Sequence, residues 1–267
     1  MSASHHLVAV ASGKGGVGKS TVTTNLAVAL KEQGLSVGLL DADIYGPSQQ
    51  LMLGVPGSAT PIQQDGKFLL PVEAHGLKTM SMGYLSSAKT PMVWRGPMAS
   101  SAMSQLLEKT LWGDIDVLLV DMPPGTGDIQ LTLAQRATLS GAVIITTPQD
   151  IALLDARKGI EMFQKVEVPV LGLIENMAAY VCSLCGHVEP LFGEAGGENL
   201  AAQYGLPLLG QIPLDRAIRE HADAGHPIVC AEPEGAVASV YKSAATELMA
   251  ALDQQQPASA PVISMSD

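Results

Sequence analysis

The sequence predicts an α/β fold, a mostly parallel central sheet flanked by helices on both faces. Three observations carry that reading. Short aliphatic runs recur at 7–11, 36–40, 116–120, 142–146, 170–174 and 206–210, and unbroken apolar runs of this length mark strands covered on both sides. Stretches with helical periodicity lie between or after them, at 19–32, 98–111, 151–163, 214–222 and 235–252. That alternation builds βαβ units and a parallel sheet. Third, the early strands stop at glycine, aspartate and proline, the loop chemistry of a ligand-binding sheet edge.

Taken in order, the first strand ends at a glycine-rich loop from Gly13 to Gly18, and the helix over 19–32 is closed by Gly34. The second strand runs into Asp41, Asp43, Gly46 and Pro47. Residues 50–96 read as an irregular insertion of hairpin character, punctuated by Pro56, Pro61, Gly66, Pro71 and Gly76 around extended pieces at 68–70 and 77–80. The strand over 116–120 ends in Asp121, Pro123, Pro124 and Gly125. We expect a single domain over 1–253. The tail over 254–267, rich in Gln, Pro, Ser and Ala, reads as disordered.

Composition narrows the function. The 267 residues are 47% hydrophobic and 15% charged, enough to bury a sizeable core, and the net charge is −11. An acidic chain argues against nucleic acid and against anionic membranes as partners. No apolar run approaches the roughly 18 residues of a spanning helix. Three cysteines are too few for a disulfide framework, and no secretory leader opens the sequence, so we expect a cytoplasmic protein.

The loop Gly13, Lys14, Gly15, Gly16, Val17, Gly18, Lys19, Ser20 fits GxxxxGK[ST] between a strand and a helix, the context that a phosphate-binding loop requires. Its glycines let successive N–H groups face one concavity, Lys19 reaches outer phosphates, and the Ser20 hydroxyl ligates Mg²⁺. Thr21 completes the nucleotide-binding segment. Asp41 and Asp43, two apart at a strand end, are expected on the metal side and beside the attacking water respectively. Asp121 reads as a carboxylate that holds Mg²⁺, and residues 123–128 as a loop responsive to the γ-phosphate. The bland alternatives are a solvated surface lysine at 14 and solvated carboxylates at 41 and 43.

Cys182 and Cys185 form a CxxC pair, a spacing that brings two thiolates to one metal or one cluster edge. One pair cannot complete a four-thiolate shell. A two-fold dimer supplies four, which is what a [4Fe–4S] cluster takes. Zinc on Cys182, Cys185, His187 and Cys230, and a redox-active dithiol, are the alternatives.

The strings GKGGVGKS, LLDADIYGPS, WRGPM, DVLLVDMPPGTGD, ENM and CxxCG occur in this order over nearly the whole chain. They resemble the Mrp/ApbC family of iron–sulfur cluster carrier ATPases, within the deviant Walker A group of P-loop NTPases that includes MinD and ParA. The resemblance implies a MinD-like fold and a cytoplasmic homodimer that binds ATP and Mg²⁺ and hydrolyses ATP slowly. It implies a labile [4Fe–4S] cluster on the shared cysteines, received from scaffold or donor proteins and passed to apo-proteins. It also implies that Lys14 crosses to the partner's nucleotide, that Asn176 contacts adenine and that Pro213 flanks the base. Two departures stand out. Many relatives carry a small N-terminal domain, whereas the first strand here starts at Leu7; and the family's usual proline after the first cysteine is Ser183. The runner-up is a spatial regulator of the MinD or ParA kind.

Overall fold

The aliphatic runs become the strands of one sheet. A computed structural model describes residues 6–85 and 96–255. In chain order the first half holds β1 (His6–Ala11), α1 (Lys19–Glu32), β2 (Val37–Asp41), the single turn α2 (Gln49–Met52), β3 (Gln63–Gln64), β4 (Phe68–Leu69), β5 (Val72–Ala74), β6 (Leu77–Ser81), α3 (Gly96–Lys109) and β7 (Val117–Asp121). The second half holds α4 (Asp128–Arg136), β8 (Gly141–Thr146), α5 (Asp150–Lys165), β9 (Val170–Val181), β10 (Val188–Glu189), α6 (Gly196–Tyr204), β11 (Leu208–Leu214), α7 (Arg216–Asp223), α8 (Ile228–Ala231) and α9 (Ala236–Gln254).

The sheet runs β10-β9-β8-β1-β7-β2-β6-β5, with β11 on the other side of β9. From β11 through β6 every pairing is parallel, and only the edge strands β5 and β10 run antiparallel. The crossover from β1 moves towards β2, while those from β7 and β8 move the opposite way. With right-handed connections, α1 therefore covers one face and α4 and α5 the other. Helix α9 packs on α1, β11 and β9. The core comprises Leu26, Leu30, Leu39, Leu118, Leu119, Phe163 and Tyr241, all fully buried, each aliphatic side chain contributing about 1.5–3 kcal/mol.

Several boundaries differ from the sequence expectation. The strand expected over 170–174 continues to Val181, because its upper part keeps β11 on one side and gains β10 on the other. The insertion contains two antiparallel pairs, β3 with β4 and β5 with β6, and β6 also lies parallel to β2. Helices α4 and α6 were not anticipated, since each starts among glycines that read as loop. The helix expected from 214 begins at Arg216, where the Asp215 carboxylate accepts from Ala217 N at 2.7 Å, an ordinary N-cap. Trp94 and Arg95 of the WRGPM string, and the tail from 256 onwards, lie outside the described residues.

Candidate functional site: a phosphate loop and a thiol hairpin

The carboxyl ends of β1, β2 and β7 lie side by side, and the register places Asp41 opposite Asp121. After β1 the chain turns through Gly16 and Gly18, both left-handed at φ 84° and 78°, a conformation glycine adopts without penalty. Gly18 has a second constraint: a Cβ there would collide with Asn176 Nδ2. The next residues, Lys19 and Ser20, open α1, so loop amides and the positive helix end converge. A cleft of about 260 Å³ collects Lys14, Gly15, Gly16, Val17, Gly18, Lys19, Ser20, Thr21, Asp43, Ser48 and Pro124. Gly13 stands behind it, packed on the backbone of Asp155.

Lys19 is 6% exposed, and its ammonium pairs with Asp121 Oδ1 and lies 3.3 Å from Ser20 Oγ. The same Oδ1 accepts from Thr23 Oγ1 at 3.3 Å, and Oδ2 accepts from Gln49 Nε2 at 2.9 Å. A cation thus sits between a hydroxyl and a carboxylate, both hard oxygen donors. A buried ion pair of this kind gives little net stability, but it is costly to leave half-made. Lys14 has no ion pair among the described residues.

Asp41, expected on the metal side, is hydrogen-bonded within its own chain. Its Oδ1 accepts from Asp43 N at 3.1 Å, and its Oδ2 accepts from Ser48 N, Gln49 N and Ser81 Oγ at 3.1, 3.2 and 3.0 Å. Four donors occupy this fully buried carboxylate, so here it organises the segment from 43 to 49. Burial and the neighbouring Asp121 charge push its pKa up to about 7 against those donors. Asp43 lines the cleft, with Oδ1 accepting from Gly46 N at 3.3 Å. Burial raises its pKa, and Lys19 opposes that rise.

Asn176 stands inside β9, and its Nδ2 donates to Val17 O at 2.8 Å. The amide therefore clamps the phosphate loop. Pro213 lies in β11 and lines a separate cleft of about 250 Å³ with Ala178, Ala179, Pro190, Ala195 and Gln211. Glu175 closes the floor of this cleft, its buried carboxylate accepting from Gly197 N at 2.6 Å and Gln211 Nε2 at 2.8 Å. Sequence reasoning missed both Gln49 and Glu175. A polar residue at the start of a short helix or inside a strand carries no spacing signal.

Six residues beyond Asn176, β9 ends in the cysteine hairpin. Cys182 N donates to His187 O at 2.9 Å and Gly186 N to Cys182 O at 2.8 Å, with Gly186 at φ 71°. This tight turn aims the amides of Leu184 and Cys185 at the Cys182 sulfur, which lowers its pKa, and the Cys185 thiol adds to the effect. Cys185 is exposed, and Leu184 between them is 95% exposed. Cys230 is elsewhere, on α8 beside Lys31 and Glu32, and burial raises its pKa. Among the described residues no three His, Cys, Asp or Glu side chains come together as a metal site. The four-ligand zinc set within one chain is therefore not assembled. No helix among the described residues is long and apolar enough to cross a membrane.

Comparison with known proteins agrees with this geometry. A model of the ParA family, described as NUBPL iron-transfer P-loop NTPase, matches residues 3–249. The chain is 59% identical over 240 residues to an iron-sulfur cluster carrier protein of Pseudomonas fragi, covering 90% of this chain and 84% of that one. It is 56% identical over 247 residues to the iron-sulfur cluster carrier protein of Escherichia coli K12, spanning 92% of this chain and 67% of the relative. Among solved structures it is similar to a nucleotide-binding protein of Archaeoglobus fulgidus in complex with ADP, with a TM-score of 0.74 and 39% identity over 83% of this chain and 86% of that one. The chain belongs to the ParA family of NUBPL iron-transfer P-loop NTPases.

Proposed function

We propose that this chain is an ATP-hydrolysing iron–sulfur cluster carrier, in which two copies hold one [4Fe–4S] cluster as cargo and deliver it to apo-proteins. The observation that carries this reading is that one strand serves both sites. Asn176 of β9 clamps the phosphate loop, and the same strand presents Cys182 and Cys185 at its tip, about 20 Å away at the usual rise per residue. The family and the names of its similar members support the cargo.

Within this reading the loop amides from Gly13 to Gly18 and Lys19 bind the phosphates, and Thr21 lines the cleft. Ser20 and Asp121 hold Mg²⁺. The ammonium that now lies between them marks a place suited to a cation, and their oxygens are the hard donors that Mg²⁺ prefers. Bound there, Mg²⁺ would neutralise phosphate charge. Lys19 leaves Asp121 for the outer phosphates, and Asp43 orients the attacking water from the cleft wall. Lys14, with no ion pair among the described residues, reaches the partner subunit's nucleotide. Asn176 and Pro213 border the place of the base. A single domain over 1–253, acting slowly in the cytoplasm and loaded by scaffold or donor proteins, completes the proposal. A spatial regulator of the MinD or ParA kind has no task for an exposed thiol hairpin.

The test is anaerobic loading with iron and sulfide, then transfer to an apo-protein that needs a [4Fe–4S] cluster for activity. Activation of the apo-protein, faster with ATP and lost in Lys19→Ala, is the expected result. Activation no faster than with free iron and sulfide would overturn the carrier reading.

A further inference from the structure

Gln49 is buried at 1% exposure, and no step above uses its side chain. It makes hydrogen bonds to four residues of the site, on α1 and at the ends of β2 and β7. Its Nε2 donates to Asp121 Oδ2 at 2.9 Å and to Ser20 O at 3.1 Å, and its Oε1 accepts from Thr24 Oγ1. Its backbone N–H donates to Asp41 Oδ2 at 3.2 Å. The amide orientation follows from the partners: reversed, its oxygen would face two acceptors, Ser20 O and Asp121 Oδ2.

We propose that Gln49 is the positioning residue that ties the segment carrying Asp43 to the metal-side carboxylate Asp121, and so sets Mg²⁺ affinity and turnover. This rests on the nucleotide-site reading above. The two oxygens of Asp121 have different partners. Oδ1 is held by Lys19 and Thr23, whereas Oδ2 is held by Gln49. When Lys19 moves to phosphate, the Gln49 bond keeps the carboxylate from rotating about its Cβ–Cγ axis. The link also runs the other way. The N–H groups of Ser48 and Gln49 share Asp41 Oδ2, so a shift of the loop from Asp43 to Ser48 moves the amide that holds Asp121. Asp41 thus transmits the position of that loop.

The experiment compares wild type, Gln49→Met and Gln49→Glu in the full chain. Binding of a fluorescent ADP is measured with and without Mg²⁺, beside steady-state ATPase and thermal unfolding. Gln49→Met keeps the volume and removes every side-chain hydrogen bond. It should leave Mg²⁺-free ADP affinity at the wild-type value, and raise the half-saturating Mg²⁺ concentration and lower kcat by about 10–100-fold, the usual cost of losing a partner behind a metal ligand. Gln49→Glu, which sets a carboxylate against Asp121, should lose at least as much. Should Gln49→Met fail to fold, Thr24→Val removes the donor that orients the amide and should show the same split at smaller size.

Wild-type Mg²⁺ dependence in Gln49→Met, or in Thr24→Val if that variant stands in, overturns the proposal. So does an equal loss of Mg²⁺-free binding, which would make Gln49 a packing residue. A wild-type protein that neither binds nor hydrolyses nucleotide overturns the site reading itself, and the proposal with it.

Discussion

The phosphate loop and the cysteine hairpin, joined by β9, are built on opposite principles. Around Lys19, Asp121, Asp41 and Gln49 the polar groups are buried and bonded within one chain. At Cys182 and Cys185 the sulfurs lie at or near the surface, held by a turn of backbone bonds and flanked by exposed Val181, Leu184, Val188 and Leu191. Burying polar groups is affordable only when they satisfy one another, so the buried groups of the first site are bonded to each other before any ligand arrives. The second offers two of the four thiolates a cubane takes. On the proposed reading a single chain thus holds its own phosphate-side groups in place, needs only a lysine from across the dimer, and offers half of a cluster site.

The largest effect that would break this comparison is on cargo. Replacing Cys182 and Cys185 with serine should reduce iron after anaerobic reconstitution to background, while nucleotide affinity by calorimetry stays at the wild-type value. Loss of nucleotide binding in that variant would mean that the two sites are not separately built. Next come the two lysines. Lys19→Ala should lower ATP hydrolysis by about 10²–10³-fold and also shift the denaturation midpoint, because the buried Asp121 loses its cation. Lys14→Ala should lower hydrolysis with no change in midpoint, since its ammonium has no ion pair among the described residues. A stability loss in Lys14→Ala would show that this lysine serves its own chain.

A smaller effect belongs to the clamp between the sites. Asn176→Ala removes one buried hydrogen bond to Val17 O, worth about 1 kcal/mol or roughly fivefold in an equilibrium constant. Nucleotide affinity should fall by about that factor. Gly18→Ala should cost more, through both its positive φ and the collision with the Asn176 amide. The smallest effect is in thiol chemistry. With the pKa of Cys182 lowered by turn amides and that of Cys230 raised by burial, Cys182 carries more thiolate at neutral pH. Its alkylation, followed by mass spectrometry across pH, should level off at lower pH than that of Cys230. Equal profiles would remove the amide cradle from the account.

The two regions were not equally legible in the sequence. The glycine turn from Gly13 to Gly18 opening a helix, and the positions of the central strands along the chain, could be read directly, because a phosphate loop needs glycine at particular backbone positions and a buried parallel strand needs an aliphatic run. The same spacing that identified Cys182 and Cys185 also pointed to their incompleteness within one chain. What escaped was side-chain wiring. Asp41 reads as a strand-end carboxylate beside Asp43, and nothing local shows its four hydrogen bonds. Only the register against Asp121 and the return of Ser48 and Gln49 decide where its oxygens point. For Asn176 only the resemblance pointed to a nucleotide contact, and its bond to Val17 O was not legible, because nothing local says that β9 continues to Val181 once β10 and β11 pair with it.

The most direct test of the half-site claim is native mass spectrometry of the anaerobically loaded protein, with iron, sulfide and zinc counted for each oligomer. The expected result is a dimer carrying four iron and four sulfide, a monomer carrying none, and no iron on either form when Cys182 and Cys185 are replaced by serine. A four-iron cluster or tightly held zinc on the monomer, or a cluster that survives on the serine variant, would contradict it.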